Sequence, residues 1–229
     1  MGTLFVVATP IGNLEDITFR AVRILCEVDL IAAEDTRQTK ILLTRYNINT
    51  PMTSYHKFNI NRKTEELMHL LQQGKNIGLV SDAGTPGISD PGYELVKAAA
   101  EAGIKVEPIP GPSAAITALA VSGLPTDKFV FEGFLPKKPG KKRKALESLR
   151  NDPRTVIIYE SPYRLIKTLG DIRTVLGERQ VVVGRELTKK FEEIVRGNAG
   201  EVMEKFKDRK VKGEVVVVVS GQVTQRESS

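Results

Sequence analysis

The sequence has few residues that bind metals or form covalent cross-links, and no long apolar segment. It contains one cysteine, Cys26, and two histidines, His56 and His69, among 229 residues. A single cysteine excludes an intramolecular disulfide, and three such donors are too few for a typical structural zinc site, so we expect no metal chemistry. The longest aliphatic run is the five valines at 215–219, far short of the roughly 18 apolar residues that indicate a membrane span. Disulfide-rich scaffolds and membrane-spanning proteins are therefore disfavoured.

Targeting signals are also missing from the first residues. The segment 1–6 has neither the basic stretch nor the apolar region of a signal peptide, and Val6 stands where a myristoylation signal needs Ser or Thr. These absences predict a cytosolic protein. The length fits one large domain or two small ones.

The net charge of +6 has one source. Residues 137–144 contain six basic residues and no acidic one, and the 34 Lys and Arg less these six equal the 28 Asp and Glu. Pro139 and Gly140 predict that this segment is a loop running into a helix near Ala145. It is either a solvated arm or a patch that contacts phosphates.

Strand and helix patterns predict an α/β protein with two domains, at 1–121 and 122–229. In the first, apolar strands at 4–8, 30–33, 77–80 and 105–109 alternate with helical patterns, which predicts a mostly parallel sheet with helices on both faces. In the second, strands at 129–131, 156–159, 181–184, 192–195 and 214–220 have few helices between them, which predicts a mixed sheet. The polar tail 222–229 is expected to fray.

Three Gly- and Pro-rich loops follow predicted strands, at 9–14, 81–92 and 109–113. Ligands of open α/β sheets bind beyond the carboxyl ends of strands, so these loops are candidate ligand sites. The first loop lacks the glycine patterns of NAD-binding and P-loop proteins. In the second, Asp82 can accept hydrogen bonds from an amine or a ribose, whereas Asp90 is more simply a helix cap before Pro91. Ser113 in the third either caps a helix or faces a ligand.

Polar clusters at other strand ends leave alternatives open. Glu34 and Asp35 are either a base, a substrate acceptor or a helix cap. Residues 54–59 mix aromatic, basic and amide groups that can bind a nucleotide, although His56 is equally well a surface histidine. Residues 159–164 and 184–189 place charge at two further strand ends, where Arg185 and Glu186 fit an ion-pair network just as well.

Several long motifs occur together in one order. They occupy residues 6–18, 33–37, 79–92, 108–115, 133–136, 159–161, 185–189 and 212–214. In these motifs the sequence closely resembles the ribosomal RNA small-subunit methyltransferase I family of the tetrapyrrole methylase superfamily, over about residues 4–221. One difference is that members commonly continue with a further helical segment, whereas this sequence ends soon after Gly221.

The resemblance implies two α/β domains with S-adenosylmethionine in the cleft between them, a homodimer, and 2′-O-methylation of a decoding-centre cytidine in 16S rRNA, either as RNA or in the small ribosomal subunit. The family pattern implies cofactor contacts at Pro10, Ile11, Gly12, Asn13, Asp82, Ala83, Gly84, Thr85, Pro86, Pro110, Gly111, Ser113, Ala114, Tyr159, Gly213 and Glu214.

Methylation of a ribose hydroxyl needs a group that takes its proton. The candidate catalytic residues are Glu34, Asp35, Arg37, His56 and Glu160, and the cluster of Glu34, Asp35 and Arg37 is the first choice. The candidate RNA-binding residues are Lys57, Lys137, Lys138, Lys141, Lys142, Arg143, Lys144, Arg164, Arg185 and Lys189.

Two other functions compete with this interpretation. A methylase of tetrapyrrole precursors is disfavoured because the first loop lacks the Gly-rich turn of those enzymes. A non-catalytic RNA-binding or ribosome-assembly protein would have no need of three ligand-type loops.

Overall fold

The computed structural model describes residues 1–222, which form two compact units. The first unit is Met1–Ser113, and the second begins at Ala114. Among the residues described, no helix is both long and apolar enough to cross a membrane. The prediction that the tail frays falls almost wholly on residues 223–229, outside the described part of the chain.

A five-stranded parallel sheet forms the centre of the first unit. Its strands are β1 (Thr3–Val7), β2 (Leu30–Ala33), β3 (Met52–Ser54), β4 (Ile77–Val80) and β5 (Lys105–Ile109), in the order β3-β2-β4-β1-β5. Leu4 of β1 lies opposite Ile77 of β4 and Val106 of β5. The loops after the adjacent strands β4, β1 and β5 consequently meet at one edge of the sheet.

Helices cover both faces of this sheet. They are α1 (Phe19–Glu27), α2 (Thr36–Arg45), α3 (Ile60–Gln72) and α4 (Gly92–Glu101), with a 3₁₀ turn at Leu14–Asp16. One core contains Val7 of β1 with Leu25 and Leu43, and the other contains Leu4 with Leu67. Side chains of a strand alternate between faces, so the two cores lie on opposite sides. The predicted parallel sheet with helices on both faces is confirmed.

The second unit contains a mixed sheet. Its elements are α5 (Ala114–Ser122), β6 (Phe129–Phe134), α6 (Pro139–Ser148), β7 (Thr155–Glu160), α7 (Leu165–Leu176), β8 (Gln180–Arg185), β9 (Glu193–Asn198), α8 (Ala199–Lys207) and β10 (Val215–Val219). The strand order is β6-β7-β10-β8-β9. Only β6 and β7 pair in parallel, and the other neighbours are antiparallel. The predicted mixed sheet is confirmed.

Three local features differ from the sequence-based expectations. The short strand β3 was not predicted, because three residues are too few to show an alternating pattern. Helix α5, assigned from sequence to the first domain, packs against β10 and β7 of the second unit. Helix α6 begins at Pro139 and not near Ala145, since the fixed φ of proline suits the first position of a helix.

Candidate functional site

The three Gly- and Pro-rich loops of the first unit are joined by hydrogen bonds. The backbone N–H of Thr9 donates to the carbonyl of Gly84 (2.9 Å), and the N–H of Gly84 donates back to Thr9 (3.0 Å). The Thr85 hydroxyl donates to the carbonyl of Pro112 (3.4 Å). Loops 9–14, 81–92 and 109–113 therefore form one cluster, which we call the loop cluster.

Two glycines permit this close approach. Gly84 has φ of +83°, which is unfavourable for any residue with a Cβ. A Cβ on Gly111 would lie 2.9 Å from the Cβ of Ala8, closer than two carbon atoms pack. The loop cluster exposes Gly12, Ala83 and Gly111 at its surface, so it presents backbone N–H and carbonyl groups to a ligand.

Beside the loop cluster lies a cavity of about 810 Å³ at the carboxyl ends of β2, β3 and β4. We call it the carboxylate pocket, because Glu34, Asp35, Asp82, Asp90 and Glu94 all line it. The N–H of Asp82 lies 3.4 Å from Oε2 of Glu34, and the N–H of Asp35 donates to Oδ1 of Asp82 (2.9 Å). Asp82 belongs to both the loop cluster and the carboxylate pocket.

Neighbouring carboxyl groups in this pocket have pKa values shifted in opposite directions. Burial raises the pKa of half-buried Glu34, and the charge of Asp82 raises it further. Burial also raises the pKa of Asp82, against the hydrogen bond from the backbone of Asp35. Hydrogen bonds from Arg37 lower the pKa of Asp35 to about 2. The raised pKa makes Glu34 a stronger base than Asp35, whose ionised form is stabilised by Arg37.

Asp35 and Arg37 bind chiefly to each other. The Asp35 carboxylate caps α2 by accepting from the backbone N–H of Arg37 (2.8 Å). It also pairs with the Arg37 guanidinium at 2.7 Å, although the Arg37 side chain is 88% exposed. The helix-cap alternative therefore holds for Asp35.

His56 enters the pocket from the segment after β3. Its backbone N–H donates to Oδ1 of Asn59 (2.9 Å), and the Asn59 amide donates to the carbonyl of Ser54 (3.1 Å). Within residues 1–222, the buried Nδ1 of His56 has no hydrogen-bond partner. Lys57, with its Nζ 4.8 Å from the centre of the Phe58 ring, also lines the pocket.

Sequence reasoning missed part of this pocket. Ser89, Tyr93 and Glu94 line it in addition to Asp90. Asp90 lies two residues before Gly92, where α4 begins, and its carboxylate accepts from the N–H groups of Gly87 and Gly92, both at 2.7 Å. Tyr93 and Glu94 lie in the first turn of α4, three and four positions after Asp90, and this spacing was the available signal.

Glu160, a candidate base, has a structural role. Its side chain is fully buried and accepts from the N–H of Ser161 (2.7 Å) and from the Thr168 hydroxyl (2.5 Å). The Arg164 guanidinium lies 3.2 Å from it. These neighbours engage both carboxylate oxygens, so Glu160 joins the end of β7 to the first turns of α7.

Lys142, a candidate RNA-binding residue, is also buried. Its ammonium pairs with Asp171 (2.6 Å) and donates to the Thr168 hydroxyl (3.1 Å). Because residues 139–148 are helical, one position of the basic run faces the protein interior. Lys137, Lys138, Lys141, Arg143 and Lys144 remain exposed.

Other predicted RNA-binding residues of the second unit are held in ion pairs. Arg164 pairs with Glu160 (3.2 Å), and Arg185 pairs with Glu193 (3.0 Å). Lys189 pairs with Glu186 (3.0 Å) and Glu214 (2.9 Å). The ion-pair alternative for residues 184–189 therefore holds.

The remaining predicted cofactor residues lie in the second unit. Tyr159 is hydrogen-bonded to the backbone of Ala115, and burial raises the pKa of its phenol. Gly213 has φ of +87° and packs against the Glu186 side chain. The N–H of Glu214 donates to that side chain (3.0 Å).

Comparisons with known proteins define the class. The family described as Tetrapyrrole (Corrin/Porphyrin) Methylases matches residues 3–203. Uroporphyrin-III C-methyltransferase from Thermus thermophilus, solved in complex with S-adenyl homocysteine, has the same fold, with a TM-score of 0.67 at 18% identity over 96% of this chain and 97% of that one. A diphthine synthase superposes with a TM-score of 0.72 at 13% identity, over 97% of this chain and 92% of that one. The fold is that of the tetrapyrrole methylases.

Curated relatives narrow the class further. Ribosomal RNA small subunit methyltransferase I of Thermotoga maritima is 50% identical over 97% of this chain and 100% of that protein. The Escherichia coli O157:H7 protein of the same name is 53% identical over 99% of this chain and 80% of that one. The Synechocystis relative is 55% identical over 96% of this chain and 80% of that protein. The chain belongs to the ribosomal RNA small subunit methyltransferase I family, as its motifs indicated, and is a methyltransferase.

Proposed function

We propose that this protein transfers a methyl group from S-adenosylmethionine to the ribose 2′-oxygen of a decoding-centre cytidine in 16S rRNA. The names of its relatives support small-subunit rRNA as the substrate. The observation that supports methylation of a hydroxyl group is the carboxylate pocket, where Glu34 has a raised pKa beside the loop cluster.

The loop cluster fits the cofactor. S-adenosylmethionine carries a cationic sulfonium and an ammonium group, and the cluster offers the Asp82 carboxylate and the exposed backbone of Gly12, Ala83 and Gly111. A Cβ at position 111 would clash with Ala8. The close contact between this loop and Ala8 therefore requires glycine. When bound, the cofactor supplies a methyl group activated by its positive sulfur.

The protein's own work is orientation and proton removal. Holding the acceptor hydroxyl in line for attack supplies much of the rate enhancement. Glu34 accepts the hydroxyl proton, because its raised pKa makes it a stronger base than an ordinary carboxylate. His56, which also lines the pocket, is the second candidate for this proton.

RNA binding is assigned to exposed cations. Lys137, Lys138, Lys141, Arg143 and Lys144 around the start of α6 suit the phosphate backbone, and Lys57 lies at the pocket itself. We further propose that the protein acts in the cytoplasm, where small subunits are assembled, and as a homodimer, as the resemblance implies.

The deciding experiment incubates the protein with S-adenosylmethionine labelled in its methyl group and small subunits that lack the modification. We expect label on the ribose of one cytidine near the decoding centre. Fully modified subunits are the matched control and should take up none. Label on a base, on a different RNA or on no RNA would contradict the proposal, and calorimetry with the cofactor alone would separate failed cofactor binding from failed recognition of the subunit.

A further inference from the structure

Two exposed aromatic rings of the second unit belong to segments that also carry exposed lysines. Tyr163, in the turn before α7, is 88% exposed, and Phe134, at the end of β6, is 58% exposed. Lys137, Lys138 and Lys141 at the start of α6 and Lys167 on α7 are exposed as well. We call these six residues the aromatic-basic surface.

Buried contacts hold the two parts of this surface together. The Arg164 guanidinium, next to Tyr163, donates to the carbonyl of Leu135 (2.9 Å), next to Phe134. It also lies 3.2 Å from the buried Glu160 carboxylate. The ion pair of Lys142 with Asp171 (2.6 Å) fixes α6 to α7. Tyr163 is therefore exposed on an anchored turn, and Leu165, the first residue of α7 after this turn, is fully buried.

The charge of the surface favours a polyanion. Residues 133–146 include no acidic residue. In the described part of the chain, no carboxylate forms an ion pair with Lys137, Lys138, Lys141 or Lys167. Exposed aromatic rings among unpaired cations are the combination with which proteins bind single-stranded nucleic acid, since the rings stack on bases while the cations contact phosphates.

We propose that Tyr163 stacks on an unpaired base of the substrate RNA while Lys137, Lys138 and Lys141 hold the adjoining phosphates. This inference rests on the proposed function for the identity of the RNA. It adds a base-contacting residue, and it predicts that the RNA is single-stranded where it crosses α6 and α7.

The chain contains no tryptophan, so one introduced tryptophan reports on its own surroundings. In Tyr163→Trp, we expect small subunits lacking the modification, or a single-stranded RNA of about ten nucleotides, to quench the fluorescence. The same RNA annealed to its complement should quench it less. Phe19→Trp is the matched control, because Phe19 is 98% exposed and the neighbouring Arg20 is paired with Glu107. Its fluorescence should not change.

Binding of the same RNA separates stacking from charge. Tyr163→Ala should weaken affinity about 5- to 100-fold without altering the salt dependence, and Tyr163→Phe should restore it. Quenching by neither RNA nor subunits would overturn the inference, as would equal affinity of Tyr163→Ala and wild type. So would a spectral change that follows protein concentration without RNA, since that would indicate a second copy of the chain on this surface. Methyl transfer by wild type with no quenching would refute only this inference, whereas quenching without methyl transfer would refute only the proposed function.

Discussion

Charged residues of the two units have different surroundings. In the first unit, Glu34 and Asp82 lie close together with raised pKa values and line an open pocket. In the second, Glu160 is buried against Arg164 and Thr168, and Lys142 is buried against Asp171. Charged side chains that lack a partner of opposite charge remain available for chemistry, whereas fully paired side chains stabilise the fold.

The comparison shows why a charged motif alone does not identify a site. Breaking a buried ion pair is costly because it leaves the remaining charge desolvated. A carboxylate placed beside another carboxylate instead has its pKa raised, which is a feature of proton-transferring residues.

The largest effect is expected at Glu34. Glu34→Gln should lower kcat by about 10²- to 10⁴-fold, because the proton acceptor is lost. In wild type, activity should fall as the pH decreases through the raised pKa of Glu34, since only the ionised form accepts a proton. This dependence should vanish in Glu34→Gln. The measurement is the pH profile of kcat with unmodified subunits.

Stability gives the control for that variant. When folding raises the pKa of a carboxyl group, the folded protein becomes less stable as the pH rises above the pKa of that group in the unfolded chain. Glu34→Gln should therefore be at least as stable as wild type at pH 7. Asp35→Asn should keep the wild-type pH profile, because Asp35, with a pKa of about 2, stays ionised across that range. A wild-type kcat in Glu34→Gln would show that another group accepts the hydroxyl proton, and His56→Ala would then be the variant to test.

The next effect is on stability in the second unit. Lys142→Ala should lower the free energy of unfolding by about 2–3 kcal/mol, somewhat less than for a fully buried pair because the Asp171 side chain is 37% exposed. Urea unfolding followed by circular dichroism measures it. Exposed Lys141→Ala should change stability by no more than about 0.5 kcal/mol. Equal stability of the two variants would show that the buried pair is not structural.

A smaller effect is expected in the loop cluster. Gly111→Ala should destabilise the protein by about 1–3 kcal/mol, since the new Cβ would lie 2.9 Å from that of Ala8. It should also weaken S-adenosylmethionine binding in calorimetry. Gly140→Ala is the control, because a Cβ there meets nothing within 4 Å. Unchanged cofactor affinity in Gly111→Ala would place the cofactor away from this loop.

The smallest effect concerns the salt dependence of RNA binding. Lys141→Ala should reduce the slope of log affinity against log salt by about 1, because one phosphate contact is lost. Lys142→Met, which keeps the packing but lacks the ammonium, should leave the slope unchanged. Equal slopes for Lys141→Ala and wild type would make the exposed lysines an ordinary solvated surface.

The features that depend on local pattern are predictable from the amino-acid sequence. The alternation of strands and helices predicts the parallel first sheet, and the crowded strands of the second half predict the mixed one. The motifs at 6–18, 33–37 and 79–92 identify the family, and their positions after predicted strands mark Glu34 and Asp82 separately as candidate site residues.

Which charged residues form buried ion pairs depends instead on tertiary contacts. Lys141 and Lys142 are adjacent and look alike in sequence, but the helix starting at Pro139 exposes the first and buries the second against Asp171. Glu34 and Glu160 both end a strand region, yet Glu160 meets Arg164 and Glu34 meets Asp82. Local sequence sets the conformation of a segment, whereas burial and charge partners come from residues distant in the chain, and these decide whether a charge stabilises the fold or remains free to act.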